Sequence, residues 1–170
     1  MKFVYLNDEF IPETDAVIGL GDLALQRSYA VFDYLPTQNQ VTLFLDDYVN
    51  RFFNSAKEMH LKVNKTKDEV KSLIKELVQK NKYESSGVRM LFTGGYSKDG
   101  YTPVETNFVL IEQALPSPGE AAYQEGISII TYPHQRELPQ IKTINYIMAV
   151  WLQTLLKEKA SADVLYHQNN

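Results

Sequence analysis

Apolar positions recur along the chain with two periods, alternation and helical spacing, and these predict its elements. Phe3 to Leu6 and Phe10 to Ile11 flank Asn7-Asp8-Glu9, a short opening hairpin with a polar turn. Val31 to Leu35 and Val41 to Leu45 are further β-rich runs, and the turn-prone Pro36-Thr37-Gln38-Asn39 between them predicts a second hairpin. Asp46 and Asp47 hold N-cap and first-turn positions ahead of Tyr48, Val49, Phe52, Phe53, Ala56 and Met59 at helical spacing. Thr66 and Glu69 form a capping box before the stripe Val70, Leu73, Ile74, Leu77 and Val78. Val88 to Phe92 and Phe108 to Ile111 read as strands joined by a long Gly-rich loop that starts at Thr93. Ile127 to Tyr132 predicts a strand, the residues from Ile144 to Leu156 one apolar helix, and Ala162 to Tyr166 a last strand.

The Pro-, Ser- and Gly-containing stretch from Pro116 to Glu120 is a linker signature. It divides the chain into an α/β two-layer domain over 1–115, a linker over 116–125 and a second domain beginning at 126. The 45 residues from 126 to 170 are too few for an ordinary domain, so this second domain is expected to be incomplete. The fold class expected is α+β.

Of 170 residues, 44% are hydrophobic and 22% charged, the balance of a globular protein. The net charge is −4 and the basic residues are scattered, which argues against nucleic-acid binding. There are no cysteines, which excludes disulfides, thiolate metal sites and a cysteine nucleophile and fits a cytoplasmic protein. The first twenty residues have no continuous apolar stretch of the signal-peptide kind, and no segment is long enough to span a membrane.

The three histidines, His60, His134 and His167, lack metal-site spacing, and no G-x-S-x-G, dinucleotide or Walker motif is present. Lys142 remains. It stands between Ile141 and Thr143-Ile144, ahead of the apolar helix, whose cap would be Thr143 or Asn145. The positive end of the helix dipole and partial burial would disfavour its ammonium and make its amine a nucleophile for Schiff-base chemistry. The same pattern also fits a surface lysine whose stem packs on the isoleucines.

The stretch Lys142-Thr143-Ile144-Asn145-Tyr146, the helix after it and Asp163-Val164-Leu165-Tyr166 resemble the segment around the cofactor lysine of the class IV aminotransferases. These are fold-type IV pyridoxal-phosphate enzymes, among them branched-chain aminotransferase, D-amino-acid aminotransferase and aminodeoxychorismate lyase. Val4 to Ile11, Gly21-Asp22, Val31-Phe32-Asp33 and the helix Asn50-Arg51-Phe52-Phe53-Asn54-Ser55-Ala56 extend the resemblance along the chain.

The resemblance implies that the second domain is the start of a β-rich pseudo-barrel. It implies pyridoxal 5′-phosphate as cofactor, with Lys142 bonding its aldehyde and then shuttling the α-proton. Arg51 would hold the phosphate; the lesser alternative is a helix-surface arginine paired with Asp47. Tyr146 would contact the cofactor O3′ or serve as a core aromatic. Phe32 would wall the substrate pocket or fill strand core, and Arg89 would receive a substrate carboxylate. Arg27 and Tyr29 stand where relatives carry small residues and bear on substrate choice. Gly94 or Gly95 replaces an arginine of the D-amino-acid enzymes, which favours branched-chain amino acids and 2-keto acids as substrates. Aminodeoxychorismate lyase and a non-catalytic interaction module are the alternatives. The resemblance further implies a homodimer, and it places the carboxylate for the pyridine nitrogen and the phosphate loops beyond residue 170.

Overall fold

The computed structural model describes residues 1–115 and 119–168. The chain divides into two units, residues 1–115 with 140–144, and residues 116–139 with 145–170. The architecture is α+β.

In the first unit the strands are β1 (Phe3–Leu6), β2 (Glu9–Pro12), β3 (Ala30–Gln38), β4 (Val41–Thr42), β5 (Ser85–Thr93) and β6 (Phe108–Ala114). They form one antiparallel sheet in the order β2-β1-β6-β5-β3-β4. The helices are α1 (Leu23–Arg27), α2 (Leu45–Glu58) and α3 (Lys67–Asn81). The core lies where α2 and α3 meet the sheet: Val49, Phe52 and Ala56, and Val70, Ile74, Leu77 and Val78, pack on Val31, Leu35, Val88, Met90, Phe92, Phe108 and Leu110. The Phe52 and Phe92 rings stack with centroids 4.4 Å apart, and Phe108 sits 4.8 Å from Phe92. Each such side chain contributes about 1.5–3 kcal/mol by leaving water.

β3 alternates strictly. Val31, Asp33, Leu35 and Thr37 are buried, while Phe32, Tyr34 and Pro36 are half-buried on the opposite face. The predicted turn at Pro36 does not occur there: the strand continues to Gln38, and the turn is Asn39-Gln40, both with positive φ (49° and 60°). Pro36 removes no bond to β5, because amides of even-numbered β3 residues point the other way, as the Phe32 N–H does in donating to the Lys142 carbonyl. The next run is strand only over Val41–Thr42. Phe44 then turns left-handed (φ 51°), and Leu45 opens α2, so Asp46 and Asp47 are first-turn acids facing the helix dipole and not caps. Thr66 and Glu69 form the expected capping box at α3.

The second unit holds α4 (Glu120–Glu125), β7 (Ile129–Pro133), α5 (Ile147–Trp151), α6 (Gln153–Glu158) and β8 (Asp163–His167). β7 and β8 pair in parallel from Ile129↔Asp163 to Pro133↔His167. Residues 120–125, expected as linker, are helical; residues 116–118 lie outside the described residues. The single apolar helix expected from Ile144 is two short helices beginning at Ile147 and meeting at Leu152. Leu152 and Leu156 are buried, whereas Ile147, Val150 and Trp151 are exposed. No helix among the described residues is long and apolar enough to cross a membrane.

Candidate active site

Lys142 is held by strand pairing. The Phe32 N–H donates to the Lys142 carbonyl (3.0 Å), the Ile144 N–H donates to the Ala30 carbonyl (3.2 Å), and Val31 and Thr143 form an antiparallel bridge. Alternation sends Ile141 and Thr143 into the buried side and Lys142 to the face that carries Phe32. The Lys142 Nζ lies 4.6 Å from the centroid of the Phe32 ring. Its backbone N–H reaches the Ser55 Oγ of α2 at 3.4 Å.

The expected place at a helix N-terminus is therefore corrected. The N-cap of α5 is Tyr146, with no side-chain cap, and the Asn145 Oδ1 accepts weakly from the Ile147 N–H at 3.4 Å. Two forces hold residues 141–144 extended. Ile141 is buried in the core cluster, and β4 covers only Thr37 and Gln38 of the β3 edge, which leaves Ala30 to Phe32 open for pairing.

Arg51 approaches the same stretch of β3 from α2. Its Nε and one terminal nitrogen donate to the two carboxylate oxygens of Asp33, both at 2.7 Å, a bidentate fork. Asp33 is fully buried and also accepts from the Tyr34 N–H, while 56% of the Arg51 side chain stays exposed. The partner is not Asp47, the helix neighbour expected if Arg51 were a surface residue. An aspartate at a core-facing strand position is costly unless paired, and that was the sequence signal for Asp33. Ser55 lies one turn beyond Arg51, so one face of α2 carries both the fork and the contact to Lys142.

Arg89 projects from β5 on the outer face, where its strand position costs no charge burial; its Cζ lies 5.3 Å from the Phe32 centroid. Among the described residues, no carboxylate lies within ion-pair distance of Lys142 or Arg89. Two cations thus share one aromatic ring without an internal counter-ion, a surface that attracts anions.

The remaining expected residues lie in other surroundings. Arg27 ends α1 with its guanidinium 4.9 Å from the Tyr101 ring and one N–H on the Gln26 carbonyl. The Tyr29 hydroxyl donates to the Met59 carbonyl at 2.6 Å, its ring packs on the core, and burial pushes its phenol pKa up. Tyr146 belongs to the second unit, where the Arg136 guanidinium sits 4.9 Å from its ring. The residues that the expectation missed are Asp33 and Ser55.

A family model described as amino-transferase class IV matches residues 30–170. A Methanocaldococcus jannaschii protein named as a candidate branched-chain-amino-acid aminotransferase is 27% identical over 86% of this chain and 53% of its own. The D-alanine aminotransferase of Staphylococcus epidermidis is 23% identical over the whole chain and 62% of its own length. Among solved structures, a T.th. branched-chain amino acid aminotransferase with pyridoxamine 5′-phosphate superimposes with a TM-score of 0.85 at 20% identity, covering 99% of this chain and 60% of that one. The chain therefore spans about half to three-fifths of the length of these relatives. With the family model covering most of its residues, the chain belongs to the class IV aminotransferases.

Proposed function

We propose that the whole protein is a pyridoxal-phosphate-dependent aminotransferase moving an amino group between a branched-chain amino acid and a 2-keto acid. The observation that carries this reading is the pair of cations, Lys142 and Arg89, set over Phe32 with no carboxylate partner among the described residues. The donor set suits the cofactor: an amine for its aldehyde, and in Arg51 a half-exposed guanidinium oriented by a buried carboxylate for its phosphate. A relative of the same fold is solved with pyridoxamine 5′-phosphate. When bound, pyridoxal phosphate supplies an aldehyde that captures amino groups and a ring that accepts the electron pair left when the α-carbon loses its proton.

Lys142 does the proton work in this reading. With the cofactor bound, its Nζ would be the group that accepts the substrate α-proton and returns it to the product. The backbone bonds to Phe32 and Ser55 fix the Lys142 main chain on β3 and set the face from which its amine reaches out, and such positioning contributes to rate enhancement. Arg89 receives a substrate carboxylate, and the Phe32 ring meets an apolar side chain. By the family resemblance Tyr146 would serve the cofactor O3′, and Arg27 and Tyr29 would bear on substrate choice.

We further infer a cytoplasmic homodimer. Val17, Leu20, Leu25 and Tyr101 are exposed apolar side chains of the kind a second copy would cover. Sedimentation of the whole protein tests this.

The test of the function is incubation with pyridoxal phosphate, borohydride reduction and peptide mapping by mass spectrometry. A phosphopyridoxyl adduct confined to Lys142, and lost in Lys142→Ala, is the expected result. Random labelling of lysines would overturn the reading.

A further inference from the structure

Tyr34 and Arg89 stand directly opposite each other on β3 and β5, yet their side chains diverge. The pairing alternates, and because the Phe32 N–H points away from β5, Phe32↔Leu91 and Tyr34↔Arg89 are the non-hydrogen-bonded pairs, whose side chains start closest together. Two such bulky groups compete for the same volume. The Arg89 guanidinium takes one diagonal, toward Phe32. The Tyr34 ring takes the other and lies over Gly87, the partner of Pro36.

Gly87 is what makes this possible. A Cβ built there would come within 2.1 Å of the Tyr34 Cζ, 2.2 Å of its hydroxyl oxygen and 2.5 Å of a ring carbon. The ring occupies the volume that any side chain at 87 would need. Gly87 has no positive φ, so its value is this space and not its backbone freedom.

We propose that Gly87 and Tyr34 are positioning residues for substrate binding: the empty side-chain site at Gly87 draws the Tyr34 ring aside and leaves the place over Phe32 to Arg89, on the face that also carries Lys142, to receive a substrate carboxylate. This rests on the carboxylate role given to Arg89 above. A side chain at 87 pushes the ring back toward Arg89 and displaces the guanidinium. Removing the ring relieves the conflict, so Tyr34→Ala in the same chain should cancel the effect of Gly87→Ala. A generally destabilising change at 87 would not be cancelled this way.

Arg89 is exposed, so its accessibility can be read directly on the chain with an arginine reagent. Phenylglyoxal modification of Arg89, quantified by mass spectrometry, is measured against rising glutarate, a dicarboxylate that stands in for the substrate acid. Glutarate should protect Arg89 in the wild type. Gly87→Ala should need about tenfold more, the loss of roughly one charge-assisted contact. The double variant Y34A/G87A should return to the wild-type concentration. Because Gly87→Ala sits inside a sheet and can fail to fold, Tyr34→Trp provides the second arm: its larger ring lies on the half-exposed face, overfills the site above Gly87 and should weaken protection similarly. Equal protection in the wild type and in folded G87A or Y34W overturns the relay while leaving Arg89 as an anion site. No protection in the wild type overturns the relay and the carboxylate role of Arg89 together, and borohydride labelling of Lys142 then judges the cofactor reading separately.

Discussion

Replacing Asp33 by Asn keeps the side chain's shape and removes the charge that holds both nitrogens of the Arg51 fork. Because Arg51 is more than half exposed, solvent screens part of the loss, and the expected cost is about 1–3 kcal/mol in urea unfolding. Glu112 behaves in the opposite sense. It is buried on β6, one carboxylate oxygen accepts from the Ser86 hydroxyl, the other makes no close hydrogen bond among the described residues, and burial raises its pKa. A carboxyl that holds its proton more tightly folded than unfolded stabilises the fold below the ordinary glutamate range, and this is lost as pH rises through its folded pKa. Glu112→Gln should therefore flatten the decline in unfolding free energy between mildly acidic and neutral pH, and be at least as stable at neutrality; a steeper decline would refute the assignment. Lys142 stands out as a candidate in the sequence because its neighbours form a motif. The partner of Arg51 was harder to read: Asp33 meets it across a strand-to-helix contact, and helical spacing offered only Asp47.

Local chemistry decided which elements could be read. The α3 start was legible because Thr66 and Glu69 satisfy each other within four residues, and Thr66→Ala should cost about 1 kcal/mol in thermal or urea unfolding. A negligible cost would mean that the box is not formed in solution. The β4 run departs from its pattern because two of the left-handed residues that shape it, Gln40 and Phe44, are of types that carry no turn signal, and Asn39 alone does not fix where the turn falls. The segment around Lys142 was misread as a helix entry for a related reason: nothing within the segment records that the edge of β3 is open beside it. Pairing between Thr143 and Val31, 112 residues earlier, overrides local pattern.

The general architecture was legible because the two periods recur cleanly, and the helical stripes of α2 and α3 match the strand faces they cover. Phe52 sits at the centre of that layer contact, fully buried and in ring contact with Phe53, Phe92 and Phe108. Phe52→Ala should cost about 3–5 kcal/mol, a large fraction of the stability of a unit this size, as read from circular dichroism in urea. A cost below about 1 kcal/mol would mean that the helices are not seated on the sheet as described.

The capture of residues 142–144 by β3 also orders events in time. During synthesis the chain emerges from its N-terminus, so β3 can pair with β5 and β6 and dock α2 well before residue 142 exists outside the ribosome. Until then the Ala30 carbonyl and the Phe32 amide stand unpaired on that edge, the kind of edge on which nascent chains stick to one another. The segment that carries Lys142 is thus also the stitch that closes that edge. A ribosome that stalls before it leaves a nearly finished layer exposed to aggregation, and chaperone demand should fall once the codons for Lys142 to Ile144 have been read and their residues have emerged.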